Sequence, residues 1–361
     1  MVNTANAPNA DVVAISAATL PWTIDQRAIW DEHFSARYRC IPGAAKIWNS
    51  AGIDQRHAVI DPRTEDVSEW STGERMERYQ AECRPLGLQA ITGALALAKL
   101  TPQDIDLLVV VSCTGYSTPG LDLILADDAG MSSDVQRLCI GHMGCYASLP
   151  ALATVSDAVV ARGMTAIMLS AELSSLHAQP ACRSLEQLVA HALFSDAVVA
   201  SVVRPGTGGL RLLDTSARTD SSHQDAMTWR ITDHGFRMTL SARVPAILAR
   251  HVRPVVEELL ARHGLAIPDV AGWAVHPGGP KILDVCQDAL GLQDSHMSAS
   301  VETLRQHGNC SSATVLLVLE RMLSTQSLAP GDHVVALAFG PGLTLYASLF
   351  VFGGEWPTSA P

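Results

Sequence analysis

LGLQAITGALALAKLTPQDIDLLVVVSCTGYSTPG, residues 86–120, decides the fold class. Residues 86–99 read as a helix, and TPQDID leads out of it into the apolar run Leu107–Cys113. That run is short, rich in β-branched side chains and bounded by Thr-Gly and Pro-Gly, the pattern of a strand buried on both faces. Working outward, Thr165–Ser170 and Ala197–Val203 repeat it, as do Val270–Val275, Val334–Phe339 and Leu343–Phe352. Helical stretches at 243–263, 278–290 and 309–324 lie between the later runs. Strands alternating with helices of this length predict an α/β fold with a mixed, mostly parallel sheet. RPGTGG at 204–209 reads as a hinge between two halves, residues 1–205 and 206–361. Each half runs strand, helix, strand, although no residue-level repeat is visible.

Composition narrows the function. Of 361 residues, 48% are hydrophobic and 17% charged, enough apolar surface for a large filled core. A formal charge of −11 argues against nucleic-acid binding, which shows a net basic footprint. No run reaches the roughly 20 uncharged apolar residues of a membrane span. The stretch MVNTANAPNADVVAIS lacks the basic start and apolar core of a signal peptide, so a cytoplasmic protein is expected. The eight cysteines include no CxxC pair, and a chain of this size does not need disulfide staples.

Four constellations carry chemistry. In GHMGCYASLP (141–150), Gly144 and Cys145 fall before an apolar helix. A thiol at a helix N-terminus is expected to have a lowered pKa, and the bare Gly144 to admit a substrate carbonyl. In WAVHPGGP (273–280), a strand delivers His276 to a Pro/Gly turn at the sheet edge, where α/β proteins place their sites. In HGNCSSA (307–313), Asn309 is a default helix N-cap that can instead donate its amide to a developing oxyanion. The turn Gly340-Pro341-Gly342 offers backbone N–H groups or is a plain turn. Together they supply what a Claisen condensation on a thioester needs: a nucleophile to hold the acyl chain and two neutral donors for an enolate. No metal is required, and no GxGxxG or P-loop suggests a nucleotide cofactor.

With these motifs the chain resembles the type III polyketide synthases, the chalcone- and stilbene-synthase-like branch of the thiolase superfamily. The likeness runs from about Val12 to Phe352 and rests on GHMGCYA, CTGYSTPGLD (113–122), ALFSD (192–196), VHPGGPKILD (275–284), GNCSSA (308–313) and AFGPGLT (338–344). It implies a layered αβαβα thiolase-like fold of two similar halves. The implied activity is loading of an acyl-CoA starter on Cys145 and extension with malonyl-CoA, without a cofactor beyond the coenzyme A thioesters themselves. It also implies cyclisation to a pyrone, resorcinol or related phenolic. Cys145 matches the nucleophile, His276 the base-like enolate stabiliser, and Asn309 the second oxyanion donor. Phe194 matches an aromatic gatekeeper, and Lys46 one of the cations for the coenzyme A phosphates. The other two basic positions of the plant enzymes fall on Gly43 and Ser50. A homodimer is implied, with residues 114–122 near its contact.

Departures from the family pattern concern the product. Met238 replaces a second gatekeeper phenylalanine. Cys113, Thr118, Ser174, His177, Trp229 and Ser311 correspond to the lining of the extension cavity. Cys113 is typical of bacterial members. Trp229 stands where plant enzymes carry glycine and is expected to fill part of the cavity. His177 either orients the polyketide and acts in cyclisation or packs against its neighbours. Two further readings stay open: a single-round ketosynthase releasing a diketide, and a non-catalytic acyl-binding homologue.

Overall fold

Along β4 (Leu107–Ser112), Leu108 and Val110 enter one core cluster and Leu107, Val109 and Val111 another. Side chains two apart point to the same side of a strand, so β4 is covered on both faces. The computed structural model describes residues 9–180, 184–206 and 208–357; Cys182 and Thr207 lie outside them.

Nine strands form the main sheet, in the order β11-β12-β13-β8-β1-β7-β6-β4-β5. The remaining members are β1 (Ala10–Ala17), β5 (Gln136–Gly141), β6 (Ala166–Leu173), β7 (Asp196–Pro205), β8 (Leu210–Thr219), β11 (Val270–Val275), β12 (His333–Gly340) and β13 (Thr344–Phe352). Two small antiparallel ladders stand apart, β2 (Trp22–Asp25) with β3 (Gln55–Ala58) and β9 (Met227–Thr232) with β10 (Gly235–Leu240).

The order contains a repeat. β1-β7-β6-β4 pair antiparallel, antiparallel, parallel, and β8-β13-β12-β11 do the same. β1 and β8 meet through two residue pairs, Asp11↔Arg211 and Val12↔Leu210, which join the halves edge to edge. The sheet is mixed, with parallel ladders toward its two ends and antiparallel ones in the middle.

The layers follow from burial. The helices Ser148–Arg162 and Thr314–Thr325 share one core cluster with one face of each half-sheet. The opposite face of the first half packs on the helix Thr72–Ala98, and that of the second on Val252–Ala261 and Pro280–Leu290. The result is α, β, α, β, α, the thiolase-like arrangement. The stretch Gly144–Arg162 is long and apolar enough to cross a membrane, and half of it is buried inside the protein. Its composition is that of a central layer, apolar because sheet covers it from two sides.

One segment differs from the sequence reading. The helix predicted from Leu86 begins at Thr72 and runs through Pro85. A Ser71–Glu74 capping box starts it, and buried Tyr79 and Cys83 anchor the turns before the proline. That packing outweighs the roughly 3 kcal/mol an interior proline costs. Where the halves join, Gly206 and Gly209 pack closely on the chain around β1. Gly206 N–H donates to Asn9 O, and a Cβ at Gly209 would stand 2.4 Å from Val12 O.

Candidate active site

The nucleophile turn is built by two glycines from different motifs. Gly144–Tyr146 form a 3₁₀ turn ahead of the helix Ser148–Arg162, so Cys145 precedes the helix instead of starting it. Gly144 has φ +76°, and a Cβ there would lie 2.4 Å from Pro341 Cδ. A Cβ on Gly340 would lie 2.6 Å from Tyr146 Cδ1. The bare Gly144 therefore admits Pro341, not a substrate carbonyl as expected. The loop Gly340-Pro341-Gly342 acts as a brace behind the nucleophile. Gly144 N–H also donates to Cys113 Sγ at 3.0 Å.

The Cys145 thiol is buried, and burial pushes its pKa up to about 12. The nearby Glu172 charge adds to the rise, and hydrogen bonds with Ser311 and Asn309 oppose it. The expected lowering at a helix end is overturned, because the dipole effect fades within the first turn while desolvation acts on the sulfur directly.

Asn309 and His276 face the same sulfur region from the second half. Asn309 follows Gly308, and its backbone is clamped to the chain around Phe194: Asn309 N–H donates to Leu193 O (2.9 Å) and Ser195 N–H to Asn309 O (3.0 Å). Ser311 N–H donates to Asn309 Oδ1 at 2.9 Å. That bond fixes the amide, since only the oxygen can accept from an N–H, and leaves Nδ2 free to donate. Cys145 Sγ lies 3.9 Å from Oδ1. Asn309 thus holds its own turn and does not cap the helix that begins at Thr314. Ser311, at φ +50°, is one of the few non-glycine residues in the left-handed region.

His276 ends β11. Its backbone N–H is tied to Leu337 O at 2.7 Å, while both ring nitrogens are buried without a partner. Burial lowers its pKa to about 3, so the imidazole is neutral. A buried, neutral, unpartnered imidazole is ready to exchange a proton or donate one hydrogen bond.

Cys145, His276 and Asn309 line one cavity of about 590 Å³. Phe194 and Met238 line it too, and they also border two inner spaces of about 20 and 80 Å³. They stand where the large cavity meets the small ones. The smallest space, beside Cys145, is lined by Cys113, Ser174, Trp229, Ser311 and Pro341. Trp229 forms its far wall, with Nε1–H donating to Cys113 O at 2.7 Å. Met238 and Trp229 face each other across the β9–β10 hairpin, so one hairpin supplies both the gate and the wall.

Of the expected lining or binding residues, one is engaged by its neighbours and two sit elsewhere. His177 lines the inner space of about 80 Å³ with Phe194, Trp229 and Met238 and not the one beside Cys145, and its ring is fully engaged. Nε2–H donates to Thr114 O (2.6 Å), Nδ1 accepts from Phe236 N–H (3.0 Å), and the ring stacks on Phe236 at 4.5 Å. These contacts favour the packing alternative, since both ring nitrogens already have partners. Thr118 is exposed, its hydroxyl donating to Tyr116 OH at 3.1 Å, because its loop turns outward beside the β5 edge. Lys46 is exposed and does not line the cavity, although Ile47 and Ser50 of the same helix do.

Two residues escaped the sequence reading. Glu172 is fully buried at the end of β6 and accepts from Cys113 N–H (3.0 Å), Thr114 Oγ1–H (2.9 Å) and Ser312 Oγ–H. It ties the two halves together beneath the site, and burial raises its pKa to about 7. A charged residue inside the apolar run TAIMLSAEL was the available signal. Lys281 lines the large cavity and had no signal beyond its place after HPGGP.

Comparison with known proteins decides the lineage. Residues 55–207 match the family profile "Chalcone and stilbene synthases, N-terminal domain", and residues 217–351 the corresponding C-terminal domain. The chain is 36% identical over 304 residues to 1,3,6,8-tetrahydroxynaphthalene synthase of Streptomyces peucetius subsp. caesius, covering 82% of this chain and 80% of that one. It belongs to the chalcone and stilbene synthase family. Within the family it is also 30% identical, over 84% of its length and 81% of the relative's, to "Alpha-pyrone synthesis polyketide synthase-like Pks18" of Mycobacterium tuberculosis. The crystal structure of 1,3,6,8-tetrahydroxynaphthalene synthase from Streptomyces coelicolor A3(2) superposes with a TM-score of 0.88 at 28% identity, covering 96% of this chain and all of that one. PKS-I of the brown alga Ectocarpus siliculosus gives 0.89 at 26% identity, with 97% and 100% covered. The chain is thus a type III polyketide synthase, an acyltransferase that condenses coenzyme A thioesters.

Proposed function

We propose that residues 1–205 supply the nucleophile Cys145 and residues 206–361 the pair His276 and Asn309 that makes the carbon nucleophile. One observation carries this reading: the three residues line a single cavity, with an unpartnered imidazole and an amide oriented by Ser311 facing a buried thiol.

In loading, Cys145 Sγ attacks the starter thioester carbonyl while its proton passes to His276. The acyl–sulfur bond to coenzyme A breaks, and the departing thiolate takes that proton. Malonyl-CoA then loses carbon dioxide, and the electron pair of the broken C–C bond forms an enolate. The N–H groups of neutral His276 and Asn309 Nδ2 stabilise the enolate oxygen. Phe194 and Met238 form the apolar gate across which the malonyl carboxylate loses its charge. The enolate carbon attacks the acyl carbonyl on Cys145, a C–C bond forms, and the sulfur is released for the next round.

The inner space favours few extensions. About 20 Å³ beside Cys145 accepts little of a growing chain, which supports release as a diketide as the second reading. The outer edge of β5 is unpaired, with exposed Leu138, and Leu123 and Tyr116 are exposed nearby. An open strand edge flanked by exposed apolar side chains pairs readily, so a second copy of the chain covers it. Coenzyme A thioester substrates support a cytoplasmic setting.

The test is intact-protein mass spectrometry after incubation with acyl-CoA starters. One acyl adduct is expected on the native chain and none on Cys145→Ala. A surviving adduct in that variant would refute the nucleophile.

A further inference from the structure

The large cavity reaches the surface at a mouth whose exposed lining includes Ser50, Leu185 and Lys281. Among the described residues lining it, Lys281 carries the one cationic side chain and Glu186 the one carboxylate. Lysine is scarce in this chain, occurring three times. Lys281 occupies the second position of the helix Pro280–Leu290, whose first turn holds no acidic residue. Among the described residues it makes no ion pair. A cation there opposes the positive end of the helix dipole. An arriving anion reverses that balance, since the ammonium and the positive end of the helix dipole then both favour it. Ser50, exposed on the same lining, contributes no charge. At the inner end of the same cavity, His276 keeps two buried ring nitrogens unpartnered, as a pocket awaiting a ligand does.

We infer that Lys281 binds the phosphates of the coenzyme A thioester at the cavity mouth. This rests on the condensing reading above. Lys281 is a binding residue for the carrier and touches no reacting atom. Glu186, on the same lining, keeps the mouth from holding anions indiscriminately.

The experiment compares KM for malonyl-CoA with KM for malonyl-pantetheine, which lacks all the phosphates, in the native enzyme and in Lys281→Ala, Lys281→Glu and Lys281→Arg. For Lys281→Ala, KM for malonyl-CoA is expected to rise roughly 3- to 10-fold, the range between an exposed ion pair and a charged hydrogen bond. KM for malonyl-pantetheine should rise far less. Lys281→Glu should widen the gap, Lys281→Arg should close it, and added salt should shrink it. Equal rises with both thioesters, or no rise with malonyl-CoA, overturn the inference. If the native enzyme condenses neither thioester, the condensing assignment itself fails, a result separate from any effect at Lys281.

Discussion

Replacing Trp229 by alanine should lengthen the product. The indole separates an inner space of about 20 Å³ at Cys145 from one of about 80 Å³ bordered by His33, Arg37 and His191. Its removal merges the two and adds the volume of the ring. Truncating a fully buried tryptophan costs about 3–5 kcal/mol, and for the half-buried Trp229 about 2–3 kcal/mol is expected. The lost Nε1–H donor also leaves Cys113 O without that bond, adding on the order of 1 kcal/mol. Trp229→Phe separates the two effects, because it removes the donor and keeps most of the bulk. The assay is liquid chromatography with mass spectrometry of products from malonyl-CoA and a panel of starters, alongside urea unfolding. Trp229→Ala should yield products longer by at least one two-carbon unit, and Trp229→Phe the native product at somewhat lower stability. Unchanged product length in a folded Trp229→Ala enzyme would refute Trp229 as the wall that limits extension.

Gly144→Ala should abolish acyl loading, because a Cβ 2.4 Å from Pro341 Cδ at φ +76° must displace the nucleophile turn; normal adduct formation by mass spectrometry would count against the brace. His177→Leu should lower stability by about 2–4 kcal/mol, since Thr114 O and Phe236 N–H both lose a buried partner. A changed ring type in the product with unchanged unfolding would show instead that His177 acts on the polyketide. Acid should destabilise the fold. His177 and His307, with pKa near 4, and His191 and His276, near 3, are held below their unfolded value of 6.5 by burial. Below pH 6.5 the unfolded chain binds protons that the fold excludes, so stability falls as pH drops toward 4. Glu172 and Asp196, raised to about 7 and 6, work in the opposite direction but are fewer. The urea midpoint should therefore be lower at pH 5 than at pH 7, and a rise would contradict this sum.

By itself the sequence determined the α/β class, because runs such as LLVVVS and VVALAF between amphipathic helices specify buried strands whatever their neighbours. It also marked Cys145, His276 and Asn309, since each sits beside glycines at a strand end or turn, where side chains are presented to a cavity. Edge strand β5 and the hairpin β9–β10 escaped notice because QRLCIG and MTWRIT are too polar to read as buried runs. The helix start at Thr72 was hidden by Pro85, whose cost only tertiary packing offsets. What the tertiary structure decided was the meaning of the marked residues. Gly144 is bare for Pro341, a contact between positions almost two hundred residues apart. The Cys145 thiol is raised because burial, invisible in local sequence, outweighs the helix end. His177 is spent on Thr114 and Phe236, Thr118 faces outward, and Lys281 stands at the mouth, because side-chain direction and partner are properties of the folded chain and not of the motif.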